Sequence, residues 1–286
     1  MHIPEFPYIA DENDDFAVVY KPPCMHSAPA CAHNGDSLTG AMMQSLTEWY
    51  ALRYPGIFSV TGRKAGEGGI MHRLDYHTRG LVLFAKNQNT YNTLQKAQDD
   101  GCFIKKYSAL CLKEPVTRPG FPESPEAAGK TGVIESYFRS YEKGRKEVRP
   151  VSDSSYQFRA IAADRGKPYR TEILSISALP SVTALQSDAA LPVDRARGKK
   201  SELYFFDILL RRGFRHQIRC HLEWAGYPIL NDPVYGKTEP VGAGSREGAG
   251  NETAYLALCS YGMSFPWQGA ESGQYSINCR ELAIAP

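Results

Sequence analysis

Short apolar runs broken by Pro, Gly and charge recur along the chain. They predict strands over residues 16–20, 81–85, 103–112, 132–139, 155–163, 168–177 and 203–210, with a last core segment over 254–265. The first run stops at Lys21-Pro22-Pro23, because proline cannot continue a ladder. Helical spacing appears in fewer places. Asp36 is placed to cap a helix with Leu38, Met42, Leu46 and Trp49 on one side, ended by Pro55-Gly56. Residues 90–100 put Tyr91, Leu94 and Ala97 on one face before Gly101. Residues 216–225 align Ile218, Leu222 and Ala225 before Gly226 and Pro228. Stretches 118–132, 178–200 and 236–250 lack periodicity and are expected to be surface insertions. Residues 61–69, with Gly62, Gly66, Gly68 and Gly69, read as a mobile loop. They match neither a dinucleotide nor a P-loop fingerprint. No internal repeat stands out, and many strands with a few helices predict an α+β fold.

With 286 residues, 42% of them hydrophobic, the chain is long enough for one large domain or two small ones. Its 33 Lys and Arg against 31 Asp and Glu leave a formal charge of +2, so the total does not announce a nucleic-acid binder. The distribution changes that picture. Acid gathers early, at Asp11, Glu12, Asp14 and Asp15. Base gathers later, at Arg139, Lys143, Arg145, Lys146 and Arg149, then Arg195, Arg197, Lys199 and Lys200, then Arg211, Arg212, Arg215 and Arg219. One face carrying those runs would be basic without a basic total, and scattered solvated side chains are the plain alternative. The 7 cysteines include no C-x-x-C pair, and Cys102, Cys111, Cys220 and Cys259 sit among apolar residues, as reduced core thiols of an intracellular chain would. Neither a signal peptide nor an apolar run of membrane-spanning length is apparent, so the cytoplasm is the expected compartment.

Candidate chemistry concentrates in residues 70–86, I-M-H-R-L-D-Y-H-T-R-G-L-V-L-F-A-K. A dense polar segment with His72, Arg73, Asp75, His77 and Arg79 runs through Gly80 into a buried strand, which is how a rigid scaffold presents a catalytic loop. Clustered bases suit an anionic substrate. Asp75, the carboxylate of the stretch, is a nucleophile or base held ionised by a guanidinium, or else a turn residue. A second constellation, Arg211 to His221, places Arg215, Arg219 and His216 along neighbouring helical turns. It suits phosphate contacts or an ion pair with Asp75, against the simpler pair of Arg219 with Glu223. His72, Asp75 and His77, with His216 and His221, also allow a metal-dependent hydrolase, although H-x-x-D-x-H is a poor metal spacing. Tyr107 is a core aromatic or a face for a nucleobase.

Together these segments resemble the RluA-type pseudouridine synthase family. His72-Arg73-Leu74-Asp75 with Thr78, Gly80, Leu81 and Ala85-Lys86 is similar to its H-R-L-D-x-x-T-S-G-L-L-L-x-A-K signature. Lys106-Tyr107 is similar to its K-Y strand. His216-Gln217-Ile218-Arg219, His221-Leu222, Gly226, Pro228-Ile229 and Asp232-Pro233 through Tyr235-Gly236 resemble its H-Q-I-R-x-H-L segment and the turn behind it, and Asp14 to Pro23 resembles its opening strand and K-P turn. Arg79, Phe214-Arg215 and Asn231 depart from the usual Ser, Arg-Thr and Gly.

The resemblance implies one catalytic domain over 1–286, with its core at about 11–265, around a mixed β-sheet and without a separate RNA-binding module. It implies isomerisation of uridine to pseudouridine in ribosomal or transfer RNA, with no metal, organic cofactor or obligatory protein partner. Asp75 is then the essential carboxylate, Tyr107 stacks on the uracil and Arg219 pairs with Asp75. Arg73 occupies the space the extruded base leaves, and His72, Thr78, Arg79, Arg215, His216 and Gln217 line the RNA site. An RNA-binding protein with this fold but no turnover is the alternative in another functional class.

Overall fold

The computed structural model describes residues 3–29, 45–114, 121, 131–141, 147–151, 166–179, 202–236 and 255–284. Among them are 10 strands and three α-helices, an α+β fold on mixed β-sheet. They pack as two compact units. One comprises His2–Lys105 and Cys259–Leu282, the other Lys106–Leu258 and Ala283–Pro286.

In the first unit the order is β1 (Tyr8–Glu12), β2 (Phe16–Lys21), β3 (Arg79–Ala85) and β9 (Leu258–Pro266), with β10 (Gln274–Asn278) on β9. β2 lies antiparallel to β3 along its whole length, from Phe16 opposite Ala85 to Lys21 opposite Gly80. β9 runs parallel to β3 at Arg79 and Gly80. Every residue of β2 and β3 is buried, as their unbroken apolar runs require. Two helices complete the unit. α1 (Leu46–Arg53) is capped by Ser45, whose Oγ accepts from Glu48 N and whose hydroxyl donates to Glu48 Oε2 at 2.6 Å. The start expected at Asp36 lies outside the described residues. α2 (Gln88–Asp99) is capped by Asn87 and buries Tyr91, Leu94 and Ala97, the face its spacing predicts.

In the second unit the order is β4 (Ile104–Leu112), β8 (Leu203–Leu210), β7 (Tyr169–Leu179), β5 (Gly132–Tyr141) and β6 (Glu147–Val151). The pairs from β8 to β6 are antiparallel. α3 (Gln217–Trp224) packs on β6 and β7. Phe138, Val148, Tyr169, Cys220 and Tyr235 form a core there, with Phe214 stacked on Phe138 at 5.1 Å.

Several elements escape the apolar pattern. β1 carries Asp11 and Glu12, and β10 alternates exposed and half-buried positions without an apolar run. β6 reads E-V-R-P-V, yet is wholly buried, because Glu147 and Arg149 pair with each other and Arg149 lies over the Tyr141 ring at 3.3 Å. Its Pro150 is tolerated because β6 ends the strand order. β7 runs to Leu179, so residues 178 and 179 belong to a strand rather than to the expected insertion. Cys102 is exposed, not a core thiol, whereas Cys111, Cys220 and Cys259 are buried. The strand expected over 155–163 and most of the three insertions lie outside the described residues.

Gly80 is where the sheet tolerates no side chain. Its φ is +126°, and an added Cβ would stand 2.2 Å from the Ser260 carbonyl oxygen on β9. Gly101, with φ +73° and open space around it, is the matched control. Gly80→Ala is therefore expected to lower unfolding free energy by about 3 kcal/mol or more, and Gly101→Ala by about 1 kcal/mol, measured by denaturant titration.

Candidate active site

The segment carrying Asp75 is laid along β3 before it turns. Met71 N donates to Leu83 O and Ala85 N to Gly69 O, so residues 69–71 run against the far end of β3. The chain then leaves, turns through Asp75 with Thr78 N donating to Asp75 O at 3.0 Å, and returns as the start of β3. A turn of this kind would be loose if only its ends were held. Three side chains hold its middle.

His72 is half-buried and packs edge-on to Phe103. Its Nε2 lies 3.3 Å from Leu81 O, and since a carbonyl only accepts, the ring proton sits on Nε2. Ser27 Oγ donates to Leu74 O at 2.8 Å and accepts from Leu74 N at 2.9 Å. Lys21, at the end of β2 and 0% exposed, donates from Nζ to Pro22 O, Met25 O and Tyr76 O. Burial pushes the Lys21 ammonium down to about 7, and the charge of Asp75 opposes that shift. Asp75 is thus a half-buried carboxylate whose charge is felt by a buried ammonium in the same unit. Sequence reasoning missed Lys21 and Ser27 as supports. The K-P turn was visible, but nothing in it tells where the ammonium points.

The neighbours of Asp75 differ in what they offer. Arg73 is half-exposed and bonds Glu67 Oε1 through Nη1 at 2.8 Å. Thr78 is buried, and its hydroxyl has no hydrogen-bond partner among the described residues. Arg79 is buried at the start of β3. Its charge and hydrogen bond oppose the burial that pushes the Cys259 thiol up to about 11. Tyr76 is 41% exposed and packs against His26 and His77.

The remaining expected site residues lie in the second unit. Tyr107 is buried on β4. Arg219, 1% exposed, makes a bidentate pair with Asp232, Nε to Oδ2 at 2.8 Å and Nη2 to Oδ1 at 2.7 Å. Burial raises the Asp232 carboxyl, but the Arg219 hydrogen bonds and charge and the Val234 and Tyr235 amides outweigh it, leaving the pKa below its ordinary value. The Tyr235 hydroxyl bridges both backbone groups of Val148 and meets His216 Nδ1 at 3.3 Å.

His216, at φ +58°, opens α3. The Gln217 amide accepts from Phe214 N and donates to Arg170 O and Thr171 Oγ1, so its polar atoms are committed to seating the helix. Arg215 is exposed and donates to Glu147 O. Asp232 is the partner that helical spacing does not reveal, since Glu223 is the neighbour it suggests. His221 sits between the Ser136 and Thr171 hydroxyls. Among the described residues no group of three or more His, Cys, Asp or Glu side chains is arranged to hold a metal ion.

The family described as "RNA pseudouridylate synthase" matches residues 15–224. An "Uncharacterized RNA pseudouridine synthase" of Chloroflexus aurantiacus is 28% identical over 216 residues, 76% of this chain and 50% of that protein. A "Ribosomal large subunit pseudouridine synthase C" of Rickettsia typhi is 26% identical over 232 residues, 81% of this chain and 57% of the relative. The chain thus spans about half the length of these curated relatives. Among solved structures, human RNA Pseudouridylate Synthase Domain Containing 1 superposes with a TM-score of 0.57 at 16% identity, covering 97% of this chain and 86% of that one. That likeness concerns the fold.

Two predictions follow from the buried polar groups. Burial pushes both His72 and His221 down to about 3, with the Lys105 charge adding to the effect at His72. Between pH 6.5 and 3 the unfolded chain takes up protons that the folded chain refuses. Stability is therefore full above about pH 6.5 and falls as pH drops toward 3. Near pH 5, His221→Gln should flatten the pH dependence of unfolding free energy by about 1 kcal/mol per pH unit. Asp232→Asn leaves the Arg219 guanidinium buried beside a neutral amide and should cost about 3 kcal/mol or more in a denaturant titration.

Proposed function

Because the chain belongs to the RNA pseudouridylate synthase family, in its RluA-type branch, we propose that it isomerises uridine to pseudouridine in RNA. The observation that carries this reading is the turn at Asp75, a half-buried carboxylate clamped by Lys21, Ser27 and His72 beside a half-exposed arginine. A positioned acid on a stiff support is what a reaction at a sugar–base bond needs, and the neighbouring cation suits an anionic polymer.

In the reaction the C1′–N1 bond of uridine breaks, the uracil turns over, and a C1′–C5 bond forms. C5 loses a proton and N1 gains one, so mass is conserved. Asp75 is the carboxylate on which turnover depends. Tyr107 supplies an aromatic face and a hydroxyl for the uracil. Arg219, oriented by Asp232, is the third residue to which the family resemblance assigns a catalytic role.

The uridine must leave its stack first, which costs a few kcal/mol. Arg73, with Thr78, Arg79, Arg215 and His216, answers for RNA contact. His72 and Gln217 act through the backbone they hold. The names of relatives such as the Rickettsia typhi protein favour ribosomal RNA as substrate. No helix among the described residues is long and apolar enough to cross a membrane, and a cytoplasmic enzyme acting on RNA is the reading we adopt.

The test is uridine isomerisation on bulk RNA, read by carbodiimide labelling at unchanged mass. Wild type should modify uridines, and Asp75→Ala should lose at least about 10³-fold in rate. Tyr107→Phe, which keeps the ring, should retain more activity than Tyr107→Ala. No modification by the wild-type chain overturns the reading and leaves an RNA-binding protein without turnover, whereas equal modification by Asp75→Ala removes Asp75 as the essential carboxylate.

A further inference from the structure

Glu67 stands outside every motif used above. It is 8% exposed, yet it reaches a side chain that is 52% exposed, Arg73, with Oε1 2.8 Å from Nη1. The backbone determines where this carboxylate points. Glu67 lies between Gly66 at φ +80° and Gly68 at φ +61°, and its N–H donates to Lys64 O. A Cβ at Gly68 would stand 2.7 Å from Ile57 O, and one at Gly62 would stand 2.6 Å from Gly68 O. Neither glycine has room for a side chain, so the loop is folded tightly against the residues around Ile57. Gly69 N continues the attachment by donating to Ile57 O.

An exposed guanidinium beside the Asp75 turn would bind any phosphate offered to it, because phosphate contacts carry no sequence information. Glu67 already occupies one of its donors. We infer that Glu67 masks Arg73 against RNA, so that RNA captures Arg73 only by displacing the carboxylate. The inference rests on the reading that Arg73 meets RNA phosphate. Every RNA bears the cost of displacement alike. Only RNA that also delivers its uridine to Asp75 offsets it, and the same carboxylate recaptures Arg73 as product leaves. The mask thus lowers affinity for every RNA by the same factor, and RNA that seats no uridine has no further contact to offset it.

The experiment measures binding of a fluorescently labelled poly(A) oligonucleotide, which holds no uridine, to wild type, Glu67→Gln, Arg73→Ala and the double variant across a salt series. Glu67→Gln should bind poly(A) about 3–10-fold more tightly. The slope of log affinity against log salt should steepen by about 0.7 for one added phosphate contact. In the Arg73→Ala background, Glu67→Gln should change neither quantity. A gain in affinity is an outcome that simple damage to the loop does not produce.

Unchanged or weaker binding by Glu67→Gln, or an equal gain without Arg73, overturns the masking role while leaving the isomerase reading intact. If Arg73→Ala binds poly(A) as wild type does, the RNA contact of Arg73 fails and the mask fails with it. Loss of uridine isomerisation in the wild-type assay above is the separate result that removes the enzymatic reading.

Discussion

The Lys21 ammonium, buried at the end of β2, is the interaction on which the first unit's functional turn depends. A charge without water is costly unless dipoles or an opposite charge replace the solvent. Here three carbonyls do so, two from the chain just beyond β2 and one from Tyr76, and the charge of Asp75 adds to them. The strand that carries Lys21 is itself locked to β3 over its whole length. The residue following Asp75 is therefore fastened to the most buried part of the unit. Ser27 and His72 add to the device, Ser27 Oγ holding both backbone groups of Leu74 and His72 Nε2 holding the Leu81 carbonyl of β3.

The second unit places its arginine by the same physics. Arg219 is 1% exposed and is held by both oxygens of Asp232, while one of those oxygens also accepts from Val234 and Tyr235 amides. Tyr235 in turn bridges Val148 on β6. A guanidinium on one short helix is thereby oriented by a turn and a strand. In both units a buried charge is held by several hydrogen bonds at once, which fix the direction of its side chain.

Much of this was legible along the chain. Residues 81–85 had to be a buried strand because an unbroken apolar run satisfies two covered faces, and β3 is buried throughout. The face of α2 and the span of β8 followed from spacing alone. Asp75 stood out because charge was dense around it. Other features were illegible for identifiable reasons. β6 hid because its buried polar residues pair with each other, and β10 because an edge strand needs no apolar run. The Arg73–Glu67 pair hid in a glycine loop whose conformation depends on contacts with Ile57.

Local order in the chain was therefore sufficient for the strands and helices whose burial shows as a period, for the α+β class, and for the stretch where chemistry concentrates. The resemblance carried by its motifs named Asp75, Tyr107 and Arg219 as residues worth testing. Which atoms hold them was decided only by tertiary structure. The partners of the Asp75 turn come from Lys21 and Ser27, and that of Arg219 from Asp232, across 13 to 55 positions of sequence. A period describes how one segment meets its surroundings, and it carries no information about which distant donor or acceptor will arrive there.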